Sequence, residues 1–275
     1  MIHPTAIISP DAIIGEGCEI GAYAYIGENV KLGNNVKIMA HAYLEHCEIG
    51  SGTSISPFAS IGTAPQDLGY KNEPTKAIIG ENCIIKEYAT VNRGAVSGDN
   101  CTRVGNRCLL MTSSHVAHNC VIEDEAILAN LATLGGHCKV GKGAFIGGMS
   151  VFHQNVRIGE MCIISGFSAS RQDIPPYCKA DGRQCLIHGI NSIGLKRRGF
   201  SPEERKNLKD AFKILDSNDI TTTKACEIIE QTLPQDEHIK KLLQFIRESK
   251  RGVLLSSTSK EFRKLGITNN ENTED

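Results

Sequence analysis

The sequence predicts a parallel β-solenoid, a prism of short stacked strands, followed by a small helical domain. Aliphatic residues recur at every sixth position over most of the chain. A period of six fits neither the 3.6-residue period of an α-helix nor the two-residue period of an ordinary strand, but it fits a solenoid. Small residues stand four places after the aliphatic ones, and apolar spacing becomes helical only after Ser201.

The six-residue repeat runs in three stretches. The first stretch is Ile2, Ile8, Ile14, Ile20, Ile26, Leu32, Ile38 and Leu44, and after a slip of one residue it resumes as Ile49, Ile55 and Ile61. The second is Ile79, Ile85 and Val91. The third is Val104, Leu110, Val116, Ile122, Leu128, Leu134, Val140, Ile146, Phe152, Ile158 and Ile164.

The residues between the aliphatic positions indicate tight corners and a narrow core. Gly often follows the aliphatic residue, as in Ile20-Gly21 and Val140-Gly141, where we expect the corner to need the conformational freedom of glycine. Six of the 11 cysteines take the small position: Cys18, Cys83, Cys108, Cys120, Cys138 and Cys162. We interpret them as core fillers and expect neither a disulfide framework nor a zinc knuckle.

Two interruptions of the repeat predict loops, and a change of pattern predicts a second domain. We expect a solenoid over residues 1–190, with loop excursions near 62–78 and 94–103. A helical domain over 191–251 should contain a helix capped by Ser201, Pro202 and Glu204, with further helices over 223–233 and 237–247. The polar residues 252–275 predict a disordered tail.

Composition excludes some classes of function. The 30 Lys plus Arg against 31 Asp plus Glu give a formal charge of −1, so no global field favours nucleic acid or a membrane surface. The chain has no run of 18 apolar residues and no basic segment followed by an apolar one at its start. We therefore expect no membrane insertion, no signal peptide and a cytoplasmic location.

The hexads resemble those of the hexapeptide-repeat acyltransferases, over residues 2 to about 190. This resemblance implies a left-handed parallel β-helix of triangular section, with three hexads to each coil, and assembly into trimers. If three hexads make one coil, residues 18 apart stack about 4.8 Å from each other, as neighbouring strands do. The hexads that begin at Val116, Leu134 and Phe152 then share one face.

Four histidines gather along this face: His115, His118, His137 and His153. Two chemistries suit such a cluster. An imidazole, with an ordinary pKa of about 6.5, can act as a general base near neutral pH. A set of histidines can instead bind zinc, as in the γ-class carbonic anhydrases, which share the solenoid.

Longer strings resemble the UDP-N-acetylglucosamine 3-O-acyltransferases of lipid A biosynthesis. They are LLMTSSHVAHNC at 109–120, LGGH at 134–137, VFHQ at 151–154, PQDL at 65–68 with EPT at 73–75, QDIPPY at 172–177 and GLKRRGF at 194–200. Taken in order they are highly specific, and they span the solenoid and the start of the helical domain.

This resemblance implies a role for each matching residue. His118 would be the general base that takes the proton of the sugar 3-hydroxyl, and the N–H of Gly136 would stabilise the oxyanion. Asn119 would hold the imidazole, and Gly166 would set the acyl-chain length by leaving the groove open. The substrate would be bound by Gln66, Asp67, His115, His137, Gln154, Asn191, Arg197 and Arg198.

The resemblance also implies the partners. Acyl carrier protein would carry a long acyl thioester, with or without a 3-hydroxyl group, and UDP-N-acetylglucosamine would accept the chain. Active sites would lie between the subunits of a homotrimer. No metal or cofactor is expected, because the thioester already supplies an activated acyl group.

Three positions depart from the family pattern. Asn119 replaces an aspartate, so we predict a weaker base, since an amide cannot stabilise an imidazolium by charge. Gly69 replaces a lysine in the first loop, and Ile193 replaces a glutamate near the nucleotide. Because of Gly69 and Ile193, we expect the details of diphosphate binding to differ from the family pattern.

Three alternatives remain open from the sequence. An N-acyltransferase of the same pathway would carry a separate domain before the solenoid, whereas the hexads here start at Ile2. A zinc carbonic anhydrase would bind a metal ion at the histidines. A catalytically silent solenoid used for assembly would show no acyl transfer.

Overall fold

The computed structural model describes residues 1–217, 220–254 and 256. The chain passes from a first sheet to a second and a third, and then returns to the first one coil higher. The three parallel sheets form the sides of a prism, and a helical segment follows them. The expected fold class, a left-handed parallel β-helix followed by a small α-helical domain, is confirmed.

Most strands are two residues long, because every hexad also has to supply a corner. The first sheet consists of Ile7–Ile8, Tyr25–Ile26, Tyr43–Leu44, Ser60–Thr63, Thr90–Asn92, His115–Val116, Thr133–Leu134, Val151–Phe152 and Ala169–Ser170. The second consists of Ile13–Ile14, Lys31–Leu32, Cys47–Ile49, Lys76–Ile79, Cys101–Val104, Val121–Ile122, Lys139–Val140 and Arg157–Ile158. The third consists of Glu19–Ile20, Lys37–Ile38, Ser54–Ile55, Ile84–Ile85, Leu109–Leu110, Ile127–Leu128, Phe145–Ile146, Ile163–Ile164, Cys178–Asp181 and the antiparallel Leu186–Ile190.

The register confirms that three hexads complete one coil. Val116 pairs with Leu134, and Leu134 pairs with Phe152, so residues 18 apart stack in the first sheet. The aliphatic residue of each hexad points into the prism, and those of the middle coils are completely buried. The 11 cysteines are free and buried. Several thiols donate to a carbonyl of the next coil, as Cys120 does to the oxygen of Gly135 over 3.2 Å.

The structure of the corners shows that glycines such as Gly21 and Gly141 are not used there for their conformational freedom. The residue in the left-handed region is the third after the aliphatic one, and it is often asparagine, as at Asn29 (φ 57°) and Asn35 (φ 56°). The glycine directly after the aliphatic residue is needed because the next coil passes too close for a side chain. A Cβ at Gly141 would lie 2.5 Å from the nitrogen of Glu160, so no larger residue fits between the coils.

We name the corners by the sheets they join: the first corner lies between the first and second sheets, the second between the second and third, and the third between the third and first. Both excursions leave the prism at the first corner. They are shorter than expected, at 64–75 and 93–100, because Lys76–Ile79 and Cys101–Val104 already pair in the second sheet.

The helical domain contains, within the described residues, α1 (Ser192–Arg197), α2 (Pro202–Leu215), α3 (Thr222–Thr232) and α4 (Glu237–Arg247). The predicted capping box of Ser201 and Glu204 at the start of α2 is confirmed. The basic residues Lys196 and Arg197 are in α1, which Asn191 caps.

The expected boundary of the tail is too early by three residues. Residues 252–254 pair with Asp173: the N–H of Asp173 donates to the oxygen of Gly252, and the N–H of Leu254 donates back to the oxygen of Asp173. Val253 and Leu254 are buried. The rest of the expected tail, apart from Ser256, lies outside the described residues.

Candidate active site

The site is built on three consecutive coils of the first corner. His118 follows the strand His115–Val116, and Gly136 follows Thr133–Leu134 one coil higher. The N–H of His137 donates to the oxygen of His118 over 2.9 Å, which ties the two corners together. The two imidazole rings meet edge to face, with centroids 5.1 Å apart. The predicted stacking of the His118 and Gly136 hexads is therefore confirmed.

Gly136 lies directly against the His118 ring. A Cβ at Gly136 would stand 2.6 Å from Nε2 of His118, so a side chain there would displace the imidazole. Gly136 is buried, and its N–H has no hydrogen-bond acceptor among the residues that the structure describes. Buried donors are nearly always paired, so an unpaired N–H beside an imidazole indicates a place for a ligand atom.

Asn119 connects His118 to the second excursion. Its Oδ1 lies 2.8 Å from Nδ1 of His118 and accepts the N–H of Ala95, while its Nδ2 donates to the oxygen of Ala95. The residue is in the left-handed region (φ 58°), which asparagine tolerates better than most residues do. The N–H of Asn119 donates to Oγ1 of Thr102, which fixes its backbone as well.

The two neighbouring imidazoles are less basic than usual. Burial lowers the pKa of His115, and the charge of His118 lowers it further. Burial and His118 also lower the pKa of His137, against a smaller opposite effect of Asp67. Both rings are therefore neutral near pH 7, and they can donate or accept hydrogen bonds. His115 Nδ1 contacts Oγ1 of Thr90 at 2.7 Å, and His137 Nε2 contacts Oγ of Ser97 at 3.2 Å.

The first excursion brings Gln66 and Asp67 to the same corner. Both side chains are exposed, and Asp67 is close enough to influence the pKa of His137. Arg93 anchors the root of this loop: its guanidinium donates to Oε1 of Glu45 over 2.8 Å, to the oxygen of Gly62 over 3.0 Å and to the hydroxyl of Tyr70 over 2.9 Å.

Other predicted site residues lie elsewhere on the chain. Gln154 is exposed at the first corner, one coil above Gly136, and His153 beside it contacts Arg251 rather than the other histidines. Arg198 lies at the second corner, where it pairs with Glu125 over 2.9 Å. Asn191 caps α1, and Arg197 is in that helix; Gly166 is exposed at the third corner.

Comparisons with known proteins identify the family. Residues 173–254 match the model described as "Udp N-acetylglucosamine O-acyltransferase; Domain 2", and residues 1–102 match the model of the GMPPB C-terminal domain. A relative from Thermodesulfovibrio yellowstonii, named acyl-[acyl-carrier-protein]--UDP-N-acetylglucosamine O-acyltransferase, is 46% identical over 253 residues, which are 92% of this chain and 98% of the relative. The chain belongs to the UDP-N-acetylglucosamine O-acyltransferase family.

Further members of this O-acyltransferase family agree in sequence and structure. A protein of the same name from Campylobacter concisus is 42% identical over 210 residues, covering 76% of this chain and 79% of its own. The crystal structure of the UDP-N-acetylglucosamine acyltransferase of Bacteroides fragilis superposes with a TM-score of 0.91 at 40% identity, covering 92% of this chain and 100% of that one. That of Francisella novicida has a TM-score of 0.91 at 32% identity, covering 95% and 98%.

The part of the chain that the structure describes contains neither a cluster of metal-binding side chains nor a membrane-spanning helix. Groups of three or more His, Cys, Asp or Glu that could hold a metal ion are absent from that part of the chain. Within the same residues, no helix is both long and apolar enough to cross a bilayer.

The sequence missed the residues that hold the O-acyltransferase site together. Ala95 and Ser97 contact Asn119 and His137 from the second excursion, and Arg93 contacts Glu45 across 48 residues of chain. The excursions have no period, so no spacing rule could pair them. The one available signal was that both interruptions occur where a first corner is due.

Proposed function

We propose that the protein transfers a long acyl chain, with or without a 3-hydroxyl group, from acyl carrier protein to the 3-hydroxyl of UDP-N-acetylglucosamine, with His118 as general base. Membership of the family makes it an acyltransferase of lipid A biosynthesis. The observation that carries the proposal is the imidazole of His118 beside the buried, unpaired N–H of Gly136.

The two groups suit the two charge changes of the reaction. Nε2 of His118 takes the proton as the sugar oxygen attacks the thioester carbonyl, and the N–H of Gly136 donates to the oxyanion that forms. When the tetrahedral intermediate collapses, the C–S bond breaks. The departing thiolate of the carrier protein then takes the proton from His118, which leaves the enzyme unchanged and the sugar acylated.

The surrounding polar groups suit a sugar. Neutral imidazoles at His115 and His137 can each donate or accept a hydrogen bond, as sugar hydroxyls require. Gln66 and Asp67, on the loop that Arg93 anchors, add an amide and a carboxylate at the open side of the corner.

A homotrimer accounts for the residues that one chain keeps apart. Asn191, Arg197 and Arg198 are on or next to α1, near the second corner, whereas His118 is at the first. If α1 of one subunit faces the first corner of the next, it supplies an arginine fork for the diphosphate, with Gln154 nearby. We expect this assembly in the cytoplasm, since a reducing compartment suits 11 free cysteines.

The acyl chain has a path along the outer face of the first sheet. This face runs from Gly136 at the first corner to Gly166 at the third, past the half-exposed Val151 and Ala169. A Cβ at Gly166 would lie 3.1 Å from the backbone oxygen of Gly148, so a side chain there requires that backbone to shift by a few tenths of an ångström and adds bulk to this face. Gly166→Met should therefore favour shorter donors in a chain-length competition, and an unchanged preference would refute this role of Gly166.

Acyl transfer from a panel of acyl-carrier-protein thioesters to UDP-N-acetylglucosamine, with the product position identified by mass spectrometry and NMR, tests the function. Wild-type protein should form the 3-O-acyl product, and His118→Ala should lower kcat about 10²- to 10⁴-fold. His41→Ala, at the third corner, is the matched control and should keep wild-type turnover. Full activity of His118→Ala, or a product acylated elsewhere, would overturn the proposal.

A further inference from the structure

One residue of the second excursion, Ala95, contacts the Asn119 side chain through both of its backbone polar groups. The N–H of Ala95 donates to Oδ1 of Asn119, and the C=O of Ala95 accepts from Nδ2, both over 2.9 Å. Both residues are buried, with 2% and 7% of their surfaces exposed. We call these two hydrogen bonds the Ala95 clamp.

The Ala95 clamp determines which way round the amide of Asn119 lies. An N–H must face oxygen and a C=O must face the amide nitrogen, so the opposite orientation would leave two buried groups mismatched. The oxygen is therefore the atom that faces His118, at 2.8 Å from Nδ1. Because that oxygen can only accept, Nδ1 of His118 has to carry the proton, and Nε2 is left unprotonated beside Gly136.

We propose that the backbone of Ala95 is the positioning element that sets the tautomer and the direction of the His118 imidazole, acting through Asn119. This inference rests on the proposed role of His118 as the base. It gives Asn119 a task that an aspartate could not perform at this place, since a carboxylate has no hydrogen to donate to the C=O of Ala95.

A mutation at Gly98 can break the Ala95 clamp without changing Ala95 or Asn119. It closes the same turn, and a Cβ there would lie 2.6 Å from Nδ2 of Asn119 and 3.5 Å from Cε1 of His137. Gly98→Ala should therefore push the Asn119 amide out of the clamp and leave both the His118 side chain and the ladder of the prism in place. Val96, 53% exposed in the same turn, offers a matched control, since its apolar side chain cannot hydrogen-bond to Asn119 or His137.

The experiment is a double-mutant cycle of Gly98→Ala and Asn119→Ala in the full-length protein, assayed for acyl transfer from acyl carrier protein to UDP-N-acetylglucosamine. Each single variant should lower kcat about 10- to 100-fold with little change in KM, as expected when a group that orients a reacting side chain is lost. The double variant should be no worse than Asn119→Ala, because both changes break one pathway. Val96→Ala should have wild-type kcat.

A second readout follows the imidazole itself. In protein with ¹⁵N-labelled histidine, the His118 ring should show a protonated Nδ1 in the wild type and a mixture of tautomers in Gly98→Ala. Asn119→Asp should keep the protonated Nδ1, keep the bond from the N–H of Ala95, lose the bond to the C=O of Ala95 and have a kcat between those of the wild type and Asn119→Ala. Its acid limb should move to higher pH, because the carboxylate stabilises an imidazolium.

The outcomes separate this inference from the proposed function. Losses that multiply in the double variant, or an unchanged His118 tautomer in Gly98→Ala, would overturn the role of the Ala95 clamp even if His118→Ala is inactive. Wild-type activity of His118→Ala would overturn the proposed base instead.

Discussion

The first and second corners share one backbone course but treat the same N–H group differently. At the second corner, the N–H two places after the aliphatic residue often donates to a side-chain oxygen of the next coil, as Glu81 does to Asn106 Oδ1 and Asn106 to Asp124 Oδ1, both over 2.8 Å. At the first corner, the N–H of Gly136 meets no acceptor among the described residues, and its neighbour is the imidazole of His118.

At His118 and Gln154 the same N–H also has no acceptor in the part of the chain that the structure describes, so the imidazole beside Gly136 is what sets this corner apart as the proposed reaction site. Where a side-chain oxygen accepts this N–H, the N–H cannot bind a substrate. Where that oxygen is missing, the N–H remains able to donate to a substrate atom. Leaving a buried N–H unpaired costs about 1–3 kcal/mol, which a continuous ladder of stacked strands can tolerate. Both excursions also leave at the first corner, so that the loops enclose the free donor.

The largest effect is expected where the open corner is blocked. Gly136→Ala puts a methyl group 2.6 Å from Nε2 of His118, so the imidazole has to turn away from the oxyanion site. We expect kcat to fall about 10²- to 10⁴-fold, the range for loss of a general base, since alanine keeps the backbone N–H. Thermal unfolding should change little, because the imidazole can move into solvent. Wild-type kcat would show that this corner does not hold the reacting groups.

The matched change at the second corner should lower stability and leave activity unchanged. Asn106→Ala removes the oxygen that accepts the N–H of Glu81, and its Nδ2 makes only a long contact of 3.5 Å with Asp124. We expect the free energy of unfolding in urea to fall by about 0.5–1.5 kcal/mol, with kcat and KM unchanged. A loss of activity comparable to that of Gly136→Ala would remove the distinction between the corners.

A smaller effect on activity is expected at the root of the first excursion. Arg93→Ala removes the guanidinium that donates to Glu45, to the oxygen of Gly62 and to the hydroxyl of Tyr70. We expect a loss of about 1–3 kcal/mol in unfolding free energy and a KM for the UDP-sugar about tenfold higher, at a nearly unchanged kcat. Arg103→Ala, whose exposed salt bridge with Asp99 is at the end of the other loop, is the control for loss of a cation. An equal rise of KM in both variants would contradict a specific role of Arg93.

The regular part of the molecule could be predicted from the sequence because one period fixes it. Once Val116 and Leu134 are 18 residues apart in a three-hexad coil, the neighbourhood of His118 and Gly136 follows from the register alone. The capping box of Ser201 and Glu204 is equally local and was predicted from four residues.

Contacts of the excursions could not be predicted, because their residues follow no period. The bond from Ala95 to Asn119 spans 24 residues and the one from Arg93 to Glu45 spans 48, and each depends on how a loop folds back. The predicted role of the glycines was wrong for a related reason. Their small size reflects the approach of the next coil, as at Gly141, and spacing within one chain segment does not reveal that approach.

The smallest effect is expected in the pH dependence of stability. It should depend on the histidines of the first corner and not on His41 at the third. Burial and the charge of His118 lower the pKa of His115 and His137 in the folded protein, so the unfolded chain binds protons more readily. The resulting stability is fully present above the unfolded value of about 6.5, and it is lost as the pH falls through the lower folded values.

Urea unfolding at fixed protein concentration should therefore give a free energy that declines below about pH 6.5. His137→Asn keeps a residue type suited to the left-handed backbone (φ 61°) and should make the decline shallower. His41→Asn makes the same exchange at the same φ of 61° on the third corner, so it controls for the backbone. If His137→Asn declines as steeply as the wild type, the enclosed imidazoles of the first corner do not contribute to the acid sensitivity.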